Sequence, residues 1–307
     1  MTAAEQPALP DITAAPPPIV QGEPVEVAAG VFVIPDRRVP LVPNVGLVVG
    51  ESAALVIDTG LGPRNGEYVL AQARKLAGAR PLYLTVTHFH PEHGFGAQAF
   101  KGAATIVYNL AQRDELRRKG AAYRGMFSGF GPDIAAQLDG VEFVEPDLAY
   151  AGDRAELDLG GHRAVLRAWP PAHTGSDQTV LVDDTVLFSG DLLETGMFPI
   201  LPLFPPFDTD VDGHGWIALL DELIALAPQI VVPGHGEVAD EALIRDVRDY
   251  LDFVRTEAVR LRESGATADA AAEAIDKAAR ARWSTWSDAE WIPFAARVFY
   301  ESAVSSS

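Results

Sequence analysis

The stretch Thr87-His88-Phe89-His90-Pro91-Glu92-His93-Gly94 gathers three of the chain's seven histidines and a carboxylate into six positions. Imidazole and carboxylate at that density are the donor set of a divalent metal site. The preceding run, Pro81 to Thr87, is β-branched and aromatic and predicts a buried strand. His88 and His90 are two apart, so they share a face if the strand geometry continues. Pro91 disfavours helix at His90 and suits the first position of a new helical turn. Glu92 and His93 then project from a turn, giving a fan of four ligands at a strand end. This differs from His-Glu-x-x-His, whose histidines sit on one continuous helix.

Three more polar residues stand beside glycines at predicted strand ends. His173 lies in Pro171-Ala172-His173-Thr174-Gly175, after the strand Arg163 to Trp169. Asp191 lies in Phe188-Ser189-Gly190-Asp191, after Val186 to Phe188, and His235 in Pro233-Gly234-His235-Gly236, after Gln229 to Val232. In layered α/β sheets, ligands bind beyond the carboxyl ends of strands. One histidine beside glycines is most often a turn residue; several, each closing a strand, point to one site. Asp58-Thr59-Gly60 closes an earlier strand in the same way.

In this order, across roughly Val31 to Gly236, the motifs resemble those of the metallo-β-lactamase fold superfamily. Asp58-Thr59-Gly60 resembles its first motif, and His88 to His93 its His-x-His-x-Asp-His signature with one change. His173, Asp191 and His235 match the remaining three. The resemblance implies an α/β (α+β) fold, a four-layer αββα sandwich of two mixed sheets with helices outside. The site would lie at one edge between the sheets. It implies His88, His90 and His173 on one metal, Glu92, His93 and His235 on a second, and Asp191 bridging both. Asp58 would orient ligand histidines. The nitrogen and oxygen donors suit zinc, two per chain, with iron or manganese as alternatives and no organic cofactor. The implied chemistry is attack by a metal-activated hydroxide on an ester, lactone, thioester or amide of a small molecule. Asp191 and Glu92 would be the catalytic carboxylates, Glu92 accepting or relaying the proton.

Two departures bear on that reading. Glu92 stands where the signature has aspartate, which leaves the strength of the second site and the metal count open. Asp191 resembles the glyoxalase II, lactonase and phosphodiester-hydrolase branches more than true β-lactamases, which use Cys or Ser there. A second reading is a persulfide-dioxygenase-like oxidoreductase holding a single iron; another is β-lactam hydrolysis as a side activity. A non-catalytic binding module is a third class, against which the nearly complete ligand set speaks.

The elements that must position these residues are predicted as follows. Val25 to Ala28, Val31 to Pro35, Asn44 to Val49 and Ala53 to Ile57 read as a meander. Glu67 to Leu76, Leu110 to Lys119 and Trp216 to Leu226 read as helices, and Thr105 to Tyr108, Ala155 to Leu159 and Thr179 to Val182 as strands. Gly120 to Gly140 is less regular, either a lid over a pocket or packing against the sheet. The proline-rich apolar run Gly196 to Phe207 is predicted to wall the substrate site. Glu241 to Arg262, Asp269 to Arg280 and Asp288 to Tyr300 read as charged helices, the last opened by a capping box over Ser287 to Glu290. Trp283, Trp286 and Trp291 are expected to bolt them together or to the body. His162 and His214 fit no motif.

The chain has 307 residues, 48% hydrophobic and 22% charged, as in ordinary globular enzymes. A net charge of −19 argues against nucleic acid and anionic membrane surfaces. The absence of cysteine excludes disulfides and thiolate ligands. Residues 1–22 read as a flexible or draped Pro/Ala-rich tail without signal-peptide features, 23–239 as the catalytic domain and 240–307 as a helical segment packed on it. The expected partner is a small-molecule substrate, the expected location cytoplasmic, and a homo-oligomer is compatible with the chain.

Overall fold

Strands that are apolar at both alternating positions need cover on both faces. β4 (Ala54–Ile57) is buried throughout, and β3 (Val45–Val49) at all but its last residue. In the computed structural model, which describes Ile12 and residues 15–302, that cover is a second sheet on one side and helices on the other. β1 (Val25–Ala28), β2 (Val31–Ile34), β3 and β4 form the antiparallel meander. β5 (Leu82–Thr85), β6 (Thr105–Asn109) and β7 (Leu148–Tyr150) extend it in parallel into a seven-stranded sheet. The five-stranded second sheet runs antiparallel through β8 (Arg154–Asp158), β9 (Arg163–Ala168), β10 (Gln178–Val182) and β11 (Val186–Glu194). β12 (Ile230–His235) then lies parallel to β11.

Period-two alternation sorts the side chains into layers. Val31, Val33, Val48, Leu55 and Ile57 meet Leu166, Val180, Val182, Phe188 and Val232 between the sheets. Val45, Leu47, Ala54 and Val56 turn the other way, onto Val69 and Ala73 of α1 (Gly62–Ala77). On the outer face of the second sheet, Leu187 and Val231 pack with α5 (Gly213–Leu226), α6 (Ala242–Glu263), α7 (Ala268–Arg282) and α8 (Ile292–Ser302). The layers are helix, sheet, sheet, helix, the αββα sandwich expected. α6 buries Leu243, Ile244, Val247, Tyr250, Leu251, Val254 and Ala258, a helical stripe in which each large side chain contributes about 1.5–3 kcal/mol. Leu251→Ala would remove about 2–5 kcal/mol of stability.

Gly120 to Gly140 is more regular than its glycines predict. α3 (Leu110–Ser128) carries straight through Gly120 and Gly125, because Tyr123 and Phe127 anchor its inner face, and α4 (Pro132–Gln137) follows. β11 runs on past Phe188 to Glu194, so Asp191 lies inside a strand and not after one. The predicted capping box does not form. Asp288 is left-handed with φ 61°, Ser287 Oγ donates to its carboxylate, and α8 starts only after a 3₁₀ turn at Ala289–Trp291.

Trp283 meets Tyr250 edge-on at 5.4 Å and Trp286 meets it tilted at 5.9 Å, and Trp286 meets Phe198 at 5.4 Å, so they do bolt α6 to the 196–207 run. The tail expectation for residues 1–11, 13 and 14 lies outside the described residues. Nearer the body, Val20 is buried and its N–H donates to Asn65 Oδ1 at 2.8 Å, so this part is docked. No helix among the described residues is long and apolar enough to cross a membrane.

Candidate metal centre

β5 ends at Thr85, so His88 and His90 leave from a loop and not from a continued strand. His90 is extended, φ −56° and ψ 151°, and hands over to the single helical turn α2 (Pro91–Gly94), with proline first as predicted. Glu92 and His93 project from that turn. His173 comes from the β9–β10 loop, Asp191 from β11, and His235 is the last residue of β12. Two glycines make room. Gly190 has φ 55°, and a Cβ there would lie 2.6 Å from Thr87. A Cβ on Gly234 would lie 1.9 Å from Asp191 Oδ1.

The structure brings all seven predicted ligands together in two buried groups that share Asp191. One is His88, His90, His173 and Asp191; the other is Glu92, His93, Asp191 and His235. The candidate ligand atoms of each group lie within 4.8 Å of one another. Asp191 divides its carboxylate between them. Oδ2 lies 3.7 Å from His88 Nε2 and 3.8 Å from His173 Nε2. Oδ1 lies 3.1 Å from His93 Nε2 and 3.7 Å from His235 Nε2.

Outer partners decide which nitrogen each ring presents. His173 Nδ1 donates to Ile200 O, His235 Nδ1 to Val42 O and His93 Nδ1 to Asp58 Oδ2, each at 2.9 Å. Carbonyls and carboxylates only accept, so when these rings are neutral, as metal ligands are, Nε2 is the lone pair. Thr87 Oγ1 donates to Asp58 Oδ2 at 2.9 Å and therefore accepts from His88 Nδ1 at 3.1 Å. Tyr123 Oη donates to the Asp208 carboxylate and therefore accepts from His90 Nε2 at 3.2 Å. His90 thus turns Nδ1 inward, where the other four present Nε2. Asp58 sits at φ 68° after β4 and also accepts from Thr87 N–H at 2.7 Å, locking the loop that carries the histidines.

The donors fit a divalent cation. His88 Nε2 and Glu92 Oε2 are buried with no hydrogen-bond partner, an arrangement that costs about 1–3 kcal/mol for each group left so, while His93 Nε2 and Asp191 Oδ1 face only each other at 3.1 Å. Burial holds His88, His90 and His173 below their usual pKa, as neutral ligands must be. Burial also opposes charge on His93, yet Asp191 and Asp58 on either side hold its pKa well above the ordinary value. Burial likewise opposes ionisation of Asp191, which His93, His235 and His88 nevertheless keep well below the usual carboxylate range. The field between these groups favours positive charge. Burial raises Glu92, with His93 opposing.

Other residues at the site carry no sequence motif. Lys119, buried on α3, reaches Glu115 at 2.5 Å and Asp208 at 2.7 Å, behind Tyr123. Tyr123 lies 33 positions from His90, so only its place among aromatics and glycines hinted at it. Glu194 is fully buried with neither oxygen partnered. A regular strand would put it opposite Asp191, but the ladder to β12 slips between Gly190 and Glu194. His162 and His214 stand apart from both groups, bonded to Asp183 at 2.6 Å and Ser302 at 3.1 Å.

A cavity of about 640 Å³ opens over Asp191, His90, Glu92, His173 and His235. Its walls are Tyr123, Met126, Phe127 and Phe130 from α3 and beyond, Ile200, Pro202 and Phe204 from the 196–207 run, and Trp291. The 196–207 run is therefore the wall predicted. The α3 face is wall and packing at once, since Tyr123 and Phe127 also belong to the core.

Known proteins resemble the chain in sequence and in fold. The chain is 30% identical over 224 residues to the acyl-coenzyme A thioesterase MBLAC2 of Gallus gallus, covering 68% of this chain and 78% of that protein. It is 23% identical over 262 residues to a linear primary-alkylsulfatase of a Pseudomonas species, covering 75% of this chain. The chain spans 49% of that alkylsulfatase's length. Among solved structures, the sec-alkylsulfatase Pisa1 from Pseudomonas sp. superposes with a TM-score of 0.73 at 16% identity, over 91% of this chain and 50% of its own. A metallo-beta-lactamase from Pontibacter korlensis superposes at 0.59 and 18% identity, over 76% of this chain and 99% of its own. The sequence profile of the metallo-beta-lactamase superfamily matches residues 38–235, a span that begins before Asp58 and ends on His235. With that span holding every ligand the geometry gathers, the chain belongs to the metallo-beta-lactamase superfamily.

Proposed function

We propose that this superfamily hydrolase is a dinuclear zinc enzyme that cleaves the thioester or ester of a substrate with an apolar acyl chain. The observation that carries the reading is Asp191, whose two oxygens face two histidine groups at the floor of an apolar cavity. Residues 23–239 form the catalytic unit in this reading, and 240–307 a helical segment packed on it. His88, His90 and His173 would hold one ion and Glu92, His93 and His235 the other, with Asp191 shared between them. Ions held by these residues would supply an acidified water and a polarised scissile carbonyl. The chain's own part is to orient, to exclude water and to move a proton. Phe127, Phe130, Ile200 and Phe204 hold the acyl chain and keep bulk water from it. Water oxygen bonds to the carbonyl carbon and the acyl–sulfur or acyl–oxygen bond breaks. Glu92 takes the proton released and returns it to the leaving thiolate or alkoxide. The thioesterase relatives, of which the chain covers 78%, support an acyl thioester.

A second reading is an alkyl sulfate, supported by the alkylsulfatase relative and by the same apolar walls. The test is turnover of zinc-loaded protein on acyl thioesters and p-nitrophenyl esters from two to twelve carbons, beside dodecyl sulfate and, with oxygen recorded, a persulfide. Each buried methylene contributes up to about 0.8 kcal/mol, so kcat/KM should climb by as much as about fourfold per carbon until the cavity is filled. Faster turnover of dodecyl sulfate selects the second reading. Oxygen consumption on the persulfide, or ester turnover indifferent to chain length, overturns the first.

A further inference from the structure

Tyr123 lies on α3, far from every motif, yet its hydroxyl is 3.2 Å from the outer nitrogen of a ligand histidine. Its ring also stacks on that imidazole, with centroids 4.9 Å apart and planes at 30°. Its proton goes to Asp208, whose other oxygen is held by Lys119 at 2.7 Å. Lys119 is tied in turn to Glu115 at 2.5 Å and Asp210 at 2.9 Å. Tyr123, Lys119, Glu115 and Asp208 are all buried. Asp208 closes the proline-rich wall: its carbonyl accepts from Phe204 N–H at 2.8 Å, and its own N–H donates to Phe204 O at 2.9 Å.

We propose that Tyr123 and Asp208 are positioning residues, which fix His90 with Nδ1 inward and so set the affinity of the ion beside His173. The inference rests on the metal-dependent reading above. Hydrogen-bond logic gives it direction. An ionised carboxylate braced by a lysine can only accept, so the tyrosine proton must point at Asp208. The tyrosine oxygen can then only accept from His90, which places the imidazole proton on Nε2 and the lone pair on Nδ1. Without the hydroxyl, Nε2–H loses its partner in a buried setting, and the ring is free to present either nitrogen. The other four histidines are held by a carbonyl, by Asp58 or by Thr87, so removing Tyr123 Oη leaves them as they are.

The test is zinc affinity by competition with a chromophoric chelator, using full-length zinc-loaded wild type, Tyr123→Phe, Asp208→Asn and Phe127→Leu. Phe127 packs against Tyr123 with ring centroids 6.1 Å apart and bonds nothing at the centre, so it reports packing alone. Loss of an outer hydrogen bond to a ligand histidine costs about 10–100-fold in metal affinity. Tyr123→Phe should weaken one ion by that amount and spare the other, Asp208→Asn should weaken the same ion less, and Phe127→Leu should change neither. Should Tyr123→Phe fail to fold, Asp208→Asn carries the test alone. Wild-type affinities in both Tyr123→Phe and Asp208→Asn overturn the inference while leaving the metal reading intact. Equal loss in Phe127→Leu overturns it too, as a packing effect. A wild type that binds no zinc overturns both.

Discussion

The half-site of His88, His90 and His173 is all imidazole, and each ring is held from behind by Thr87, Tyr123 or a main-chain carbonyl. The half-site of Glu92, His93 and His235 mixes two imidazoles with a longer carboxylate whose Oε2 has no partner. Its His93 is fully buried against Asp58, while His235 is the most exposed of the ligands at 8%. Both halves lean on Asp191. Rings fixed through their outer nitrogens are preorganised, and the first half-site has three of them against two, so it should bind the more tightly. The second contains the adjustable member, and Glu92 is also the residue assigned the proton. In the proposed reading, binding strength and chemistry therefore fall on different sides of one shared carboxylate.

The largest effect is expected at the shared point. Asp191→Ala should lose both ions and cut turnover by well over about 100-fold, since even outer partners of ligands are worth about 10–100-fold. Metal per chain by elemental analysis checks it, and retention of either ion at full affinity would break the comparison. Next come the two sides separately. His90→Ala should lose the tighter ion and nearly all activity, while His235→Ala should keep about one ion per chain. The same metal content in both variants would mean that the halves are not distinct. A smaller effect belongs to Asp58, which touches His93 directly and His88 only through Thr87. Asp58→Asn should weaken the His93 side by about 10–100-fold and the His88 side less, read by chelator competition. The smallest change is Glu92→Asp, which restores the common signature. It should alter the affinity of the second ion by less than about tenfold, leave the first untouched, and shift the pH profile of turnover by moving the proton acceptor.

The opening meander and the ligand fan were legible because both rest on short-range patterns, and the sandwich followed from the resemblance those motifs carry. Val31 to Ile57 reads as short apolar strands separated by turn residues, as a meander must, and His88 to His93 lies within one loop and one turn. Strand ends beside glycine located His173, Asp191 and His235, although β11 continues past Asp191 because its parallel pairing with β12 persists through a bulge. Tyr123, Lys119 and Asp208 were not legible. Their meaning comes from contacts spanning 33, 85 and 89 positions, which no local spacing encodes. Glu194 was hidden by the same register slip that brings it into the cavity wall. The capping box failed because Ser287 N–H is bonded to Gly196 O at 3.0 Å, which ties the start of that segment to the site wall and not to its own helix.

The most direct measurement is anomalous diffraction at the zinc edge from crystals of zinc-loaded protein. Two peaks are predicted, one on each side of the Asp191 carboxylate, with His88 Nε2, His90 Nδ1 and His173 Nε2 about 2 Å from the first and Glu92, His93 Nε2 and His235 Nε2 about 2 Å from the second. A single peak, an ion held by His90 through Nε2, or His173 or His235 turned away from the metal would contradict it.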